Sequence, residues 1–215
     1  MKTKAYFAAA IVALSATSAS AAIMNVSGPN SSAGTAAAFL NSAPAAVQNG
    51  TVTNSGMQGF DEQQNVSLSG SLSVDGGSIA TGTVVDSHMI FLNKADDVGG
   101  TLTHTEVVWT FAADILGVMS DQDGVLEDAS TDELGATGTN YPTSSFNFRG
   151  LEGNDSYSIS GNMLTVDMGV SQPGDWMRVV TETAPVPVPA AGVLLLGALG
   201  GLGGASALRR RRKAA

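Results

Sequence analysis

Asn65-Val66-Ser67-Leu68-Ser69-Gly70-Ser71-Leu72-Ser73-Val74 sets apolar Val66, Leu68, Leu72 and Val74 at every second position against Ser67, Ser69, Ser71 and Ser73. A period of two puts alternate side chains on opposite faces, so this stretch reads as a half-buried β-strand. Asp75-Gly76-Gly77 follows as a turn. Working outward, residues 84–92 are a second strand, nearly all apolar from Met89 on and therefore central. Residues 101–111 are a third, with Val107, Trp109 and Phe111 on one face. Residues 157–159, 164–170 and 176–181 are further strands, punctuated by Gly161-Asn162 and Pro173-Gly174-Asp175. Ser130-Thr131-Asp132-Glu133 has capping-box spacing and is expected to open a short helix, and residues 35–40 to form another. Short strands with turn signals and little helical periodicity predict an all-β body, a sandwich or jelly roll with short helices. The expected core is Ile90, Phe91, Leu92, Trp109, Phe111, Leu164, Val166, Met168 and Trp176.

Charge divides the chain more sharply than its averages suggest. The 215 residues hold 10 Lys+Arg and 19 Asp+Glu, with no cysteine and two histidines. The absence of cysteine excludes disulfides, thiol catalysis and Cys-based zinc or iron–sulfur sites. An acidic chain repels phosphate backbones, so nucleic acid is not an expected partner. Lys2, Lys4, Arg209, Arg210, Arg211, Arg212 and Lys213 are seven of the ten cations, and all nineteen acids lie between Asp61 and Glu182. The remaining three cations, Lys94, Arg149 and Arg178, leave the body at a formal charge of −16.

Both ends read as addresses. Residues 1–22 join Lys2 and Lys4, an apolar run over 5–16, and small-residue exits at Ala19-Ser20-Ala21 and Ser20-Ala21-Ala22. That order describes a secretory signal peptide, with signal peptidase as its partner and an apolar run too short to span a bilayer. Residues 23–60 then form a segment rich in Ala, Ser and Gly, ahead of a predicted β-sandwich body over 61–182. Residues 183–189 form a proline-rich stem, which cannot continue a helix. Residues 190–208 carry no charge. As a helix they extend roughly 29 Å, matching a hydrocarbon thickness of ~30 Å. The basic tail over 209–215 follows, and Arg209 to Arg212 with Lys213 would hold this terminus in the cytoplasm. The expected precursor is anchored in a membrane by its C-terminal helix, with the body on the far side.

Val186-Pro187-Val188-Pro189-Ala190, a Leu/Gly-rich helix and a closing Arg run resemble the PEP-CTERM sorting tail, and more closely its VPLPA variant. Val188 stands where the commonest form has Glu and the variant has Leu. The resemblance covers residues 185–215. It implies export by a Gram-negative bacterium and an inner-membrane precursor recognised by an exosortase, a membrane cysteine enzyme. It also implies cleavage near the proline motif and delivery of the body to the envelope or the extracellular matrix. Proteins with such tails are associated with exopolysaccharide and biofilm.

Within the body, Asp121-Gln122-Asp123-Gly124 with Glu127 and Asp128 offers carboxylates before a glycine, a pattern that can gather oxygens around calcium. No other cofactor is expected. Asp96-Asp97 ahead of Val98-Gly99-Gly100 reads as a hairpin loop. If residues 84–92 and 101–111 pair through that hairpin, His88 and His104 point to opposite faces. Arg149, one of three cations among many acids, is expected in an internal ion pair. There is no Gly-x-Ser-x-Gly nucleophile elbow. The reading is therefore a non-enzymatic envelope or matrix protein. The alternative is a carbohydrate-binding module, calcium-assisted, with Trp176 as a sugar-stacking platform and polysaccharide as partner.

Overall fold

A computed structural model describes residues 22–48, 53–94, 99–142, 145–171 and 174–184. The described residues form one compact unit. Its elements in chain order are β1 (Ile23–Ser27), β2 (Ala38–Leu40), β3 (Gln58–Asp61), β4 (Val66–Ser67), β5 (Leu72–Val74), β6 (Gly77–Ile79), β7 (Val84–Leu92), β8 (Leu102–Phe111), β9 (Ile115–Met119), α1 (Val125–Leu134), β10 (Ser156–Ser160), β11 (Met163–Val170) and β12 (Asp175–Glu182). The body is mostly β-sheet, as the periodicity predicts. Among the described residues no helix is long and apolar enough to cross a membrane. The signal peptide, apart from Ala22, lies outside the described residues. So do the stem from Pro185 on, the helix over 190–208, the basic tail and Asp96-Asp97.

One sheet has the order β1-β8-β11-β10, and the other β2-β3-β7-β12-β9 with β4 also on β7. They share a core. Trp109, Phe111, Leu164, Val166 and Met168 of the first sheet meet Ile90, Leu92, Val118, Met177 and Val179 of the second. Gly59 on β3 permits close approach here, since a Cβ would stand 2.7 Å from the Trp109 ring. All nine expected core residues are buried. A bulge on β8, with Glu106 at φ +57, sets His104 and Val107 on the inner face although they are three residues apart.

The other face of the larger sheet is also covered, which explains the unbroken burial of Val85 to Leu92 and of Asp175 to Thr181. Val47, Tyr141 and Phe146 pack on Phe60, Met89, Phe91 and Trp176, while Leu134 of α1 and the β5–β6 hairpin pack on Val85, Met119 and Val180.

Four expectations change. The opening stretch is two strands, β4 and β5, which pair with β7 and β6 respectively. Its alternation survives the break: Leu68, Leu72 and Val74 are buried while Ser67, Ser69, Ser71 and Ser73 are exposed. Residues 38–40 are a strand, because their backbone pairs in parallel with Gln58 to Phe60. The segment over 23–60 supplies β1, β2 and β3 and is part of the body rather than a leader to it. Finally, β7 and β8 lie in different sheets, so no hairpin joins them, and the histidine register argued from that hairpin does not apply.

Candidate functional site

The Asp121 loop leads into α1, six residues earlier than the capping-box spacing suggested. Gly124, at φ +65, stands at the N-cap and has no side chain to satisfy the free N–H groups. Asp121 does this instead: its Oδ2 accepts from Val125 N–H at 2.8 Å and its Oδ1 from Leu126 N–H at 3.0 Å. Ser130 and Thr131 fall in the second half of the helix, where their hydroxyls donate back to the carbonyls of Leu126 and Glu127. Asp123 is exposed. Glu127 is 1 % exposed and points the other way, into the protein, where it pairs with Arg149 and Arg178. Asp128 reaches Arg149 at 3.3 Å. The four residues read as one calcium loop are thus divided among a helix cap, solvent and a buried ion-pair network.

That network sits beneath α1 on the outer face of the larger sheet. Arg178, central on β12, donates to both Glu62 oxygens, at 2.7 and 2.9 Å, and to the Glu127 carbonyl and Ser130 hydroxyl, each at 2.6 Å. Ser87 and Tyr141 donate to Glu62 at 2.6 Å each. Burial opposes the Arg178 charge, but Glu62 and Glu127 more than restore it and hold the guanidinium above its ordinary value. Burial, with the Glu62 carboxylate beside it, pushes the Tyr141 hydroxyl up. Arg149 is internally paired, as expected, though its partners are Glu127 and Asp128.

Both tryptophans are inside. Trp176 is 1 % exposed, packs edge-on against Phe146, and donates its indole N–H to the Val47 carbonyl at 2.7 Å. It therefore presents no stacking face to a sugar, because the covering segments seal the side of β12 it occupies. The histidines are similarly engaged. His104 Nδ1 accepts from Met57 N–H at 2.9 Å, so Nε2 carries the proton and donates to the Pro29 carbonyl at 2.9 Å. His88 binds Asp61 at 2.8 Å and Thr181 at 3.2 Å.

A different acidic group converges where the two sheets meet. Leu151 N–H donates to the Ser120 carbonyl and Gly150 N–H to that of Gln122, which lays the chain before β10 beside the Asp121 loop. An open groove of about 400 Å³ follows, lined by Asp75, Ser120, Asp121, Gln122, Leu151, Asp155, Ser156 and Tyr157. Tyr157 donates to Asp75 at 3.0 Å, and burial with that carboxylate raises it to about 12. Behind the groove, Glu152, Asp155 and Asp175 bring carboxylate oxygens within 4.8 Å of one another. Burial, then the charges of Asp155 and Glu152, pushes Asp175 up to about 9. Burial and Asp155 push Glu152 up to about 7, and burial raises Asp155 too. The trio is not legible in the sequence, because Asp175 is twenty residues from Asp155 and closes the turn Pro173-Gly174-Asp175. The one available signal was Glu152-Gly153-Asn154-Asp155, a turn with an acid at each end.

No protein-family model, curated protein or solved structure matches the chain.

Proposed function

We propose that the chain is an exported, non-enzymatic envelope or matrix protein, sorted through its C-terminal tail and associated with exopolysaccharide. The observation that carries this reading is where the fold stops. β1 begins at Ile23, directly after the signal-peptide exit at Ala22, and β12 ends at Glu182, three residues before Pro185. Removing both addresses would leave every strand and its pairings intact, a property needed by a protein processed at each end. The charge pattern agrees with it: Lys94, Arg149 and Arg178 are all buried, so the exposed charged side chains among the described residues are acidic and favour solubility outside the cell. The two-layer body is then a sandwich scaffold presented to the surroundings, and burial of Trp176 removes the feature that argued for a sugar platform.

Cell fractionation of the full chain beside a chain ending at Pro185 tests the sorting claim. The full chain should yield a released or envelope-bound body that begins near Ala22 and lacks the Arg run by mass spectrometry. The shortened chain should be mislocalised. The same location for both, or a full chain that keeps its Arg run, would refute the proposal.

A further inference from the structure

We infer that Glu152, Asp155 and Asp175 form a calcium site that clips the two sheets together. Glu152 and Asp155 belong to the turn that delivers the chain to β10, at the edge of the smaller sheet. Asp155 N–H donates to the Glu152 carbonyl at 3.0 Å, and Gly153 between them takes φ +63. Asp175 is the first residue of β12 in the larger sheet, paired with Leu92 of β7. The carboxylates therefore reach one point from two layers.

Three observations favour a cation there. Asp175 is 1 % exposed and meets Asp155 through a side-chain hydrogen bond, while its Oδ2 has no donor beside it among the described residues. Glu152 Oε2 is likewise buried without a partner. Buried carboxyl oxygens almost always have a partner, and one left bare costs the desolvation of a polar group. The two bare oxygens belong to acids of the same trio, where each worsens the other's position. Second, the spacing suits the ion. Oxygens bound to one calcium at 2.3–2.6 Å stand at most about 4.6–5.2 Å apart. The three carboxylates lie within 4.8 Å of one another, a span one calcium can bridge. Third, Asp155 also lines the open groove, which gives an ion a path from solvent and room for the waters that complete its shell. Asp121 borders the same groove, but both its oxygens are committed to the cap of α1. The site stands apart from the question of how the chain is sorted.

The test uses the full chain in mild detergent, stripped with chelator, then titrated with calcium chloride and separately with magnesium chloride. Calorimetry should show one calcium per chain and thermal unfolding a raised midpoint, with magnesium weaker. Asp175→Asn and Glu152→Gln should each weaken calcium binding by about tenfold or more, since affinity follows the ligand charge count. Asp123→Asn, exposed and outside the trio, should bind as the parent does. Without calcium, Asp175→Asn should unfold close to the parent's midpoint, because burial and its acidic neighbours already hold the Asp175 carboxyl neutral. Circular dichroism verifies each fold. Should Asp175→Asn fail to fold, the partly exposed Glu152→Gln decides alone. A folded parent that shows neither heat nor shift at millimolar calcium overturns the site. So does calcium binding that survives the trio substitutions or is lost in Asp123→Asn.

Discussion

Arg178 shows how far a single side chain organises this body. Its guanidinium is fully buried and bridges Glu62, which follows β3, to Glu127 and Ser130 on α1. Such an ion pair contributes little net stability over an apolar replacement, because both charges are desolvated. Breaking it is different, since the abandoned carboxylates remain buried. Arg178→Ala should therefore destabilise the protein by about 3–5 kcal/mol. Urea unfolding followed by fluorescence of the two buried tryptophans reads this directly. A loss below about 1 kcal/mol, the scale of an exposed pair, would contradict the account. Composition shows that basic residues are scarce in the body, and scarcity made the internal pairing of Arg149 legible. The partners were not. Glu62 and Arg178 are 116 residues apart, and only the registers of β12 and of β3 against β7 between them bring the two together.

At the scale of elements, local pattern and pairing carry different information. β7 falls where its apolar run predicts, and β8, β10, β11 and β12 lie within a residue or two of their expected bounds. Each is read from its own alternation. Pairing is non-local, and so the β7-to-β8 connection was misread as a hairpin when it crosses between sheets. The start of α1 was missed for a related reason. A hydroxyl followed three residues later by Glu matches a capping box, but the functioning cap is a carboxylate three residues before the N-cap glycine. Asp121→Ala removes both acceptors for the Val125 and Leu126 N–H groups and should cost about 0.5–2 kcal/mol, as lost caps do. Asp121→Asn keeps one oxygen acceptor and should lose less. Denaturant midpoints of the two variants provide the comparison, and equal losses would mean that Asp121 acts through its charge on the helix dipole instead. The calcium trio was illegible for the same reason as the pairing: its third member arrives from another sheet.

Over the whole molecule, the segregation of charge is a matter of topology as well as composition. The body carries −16, and the fold draws its three cations inward, against acids, a carbonyl and α1. Exposed acids such as Glu106, Asp114, Asp123, Asp132 and Glu182 are left facing solvent without exposed cations among the described residues. Their mutual repulsion acts across the surface and is open to screening. The buried Arg178 network is screened much less. Raising sodium chloride from about 0.01 M to about 0.15 M shortens the screening length from ~30 Å to ~8 Å. The thermal midpoint, measured with chelator present, should therefore rise. Relief of about 1 kcal/mol corresponds to about 2–4 °C for a domain of this size. Choline chloride should act equally, since the effect belongs to ionic strength. Millimolar calcium should add a further increment that Asp175→Asn abolishes. A midpoint that falls with salt would mean that exposed ion pairs outweigh the repulsion, which the inward placement of Lys94, Arg149 and Arg178 does not allow.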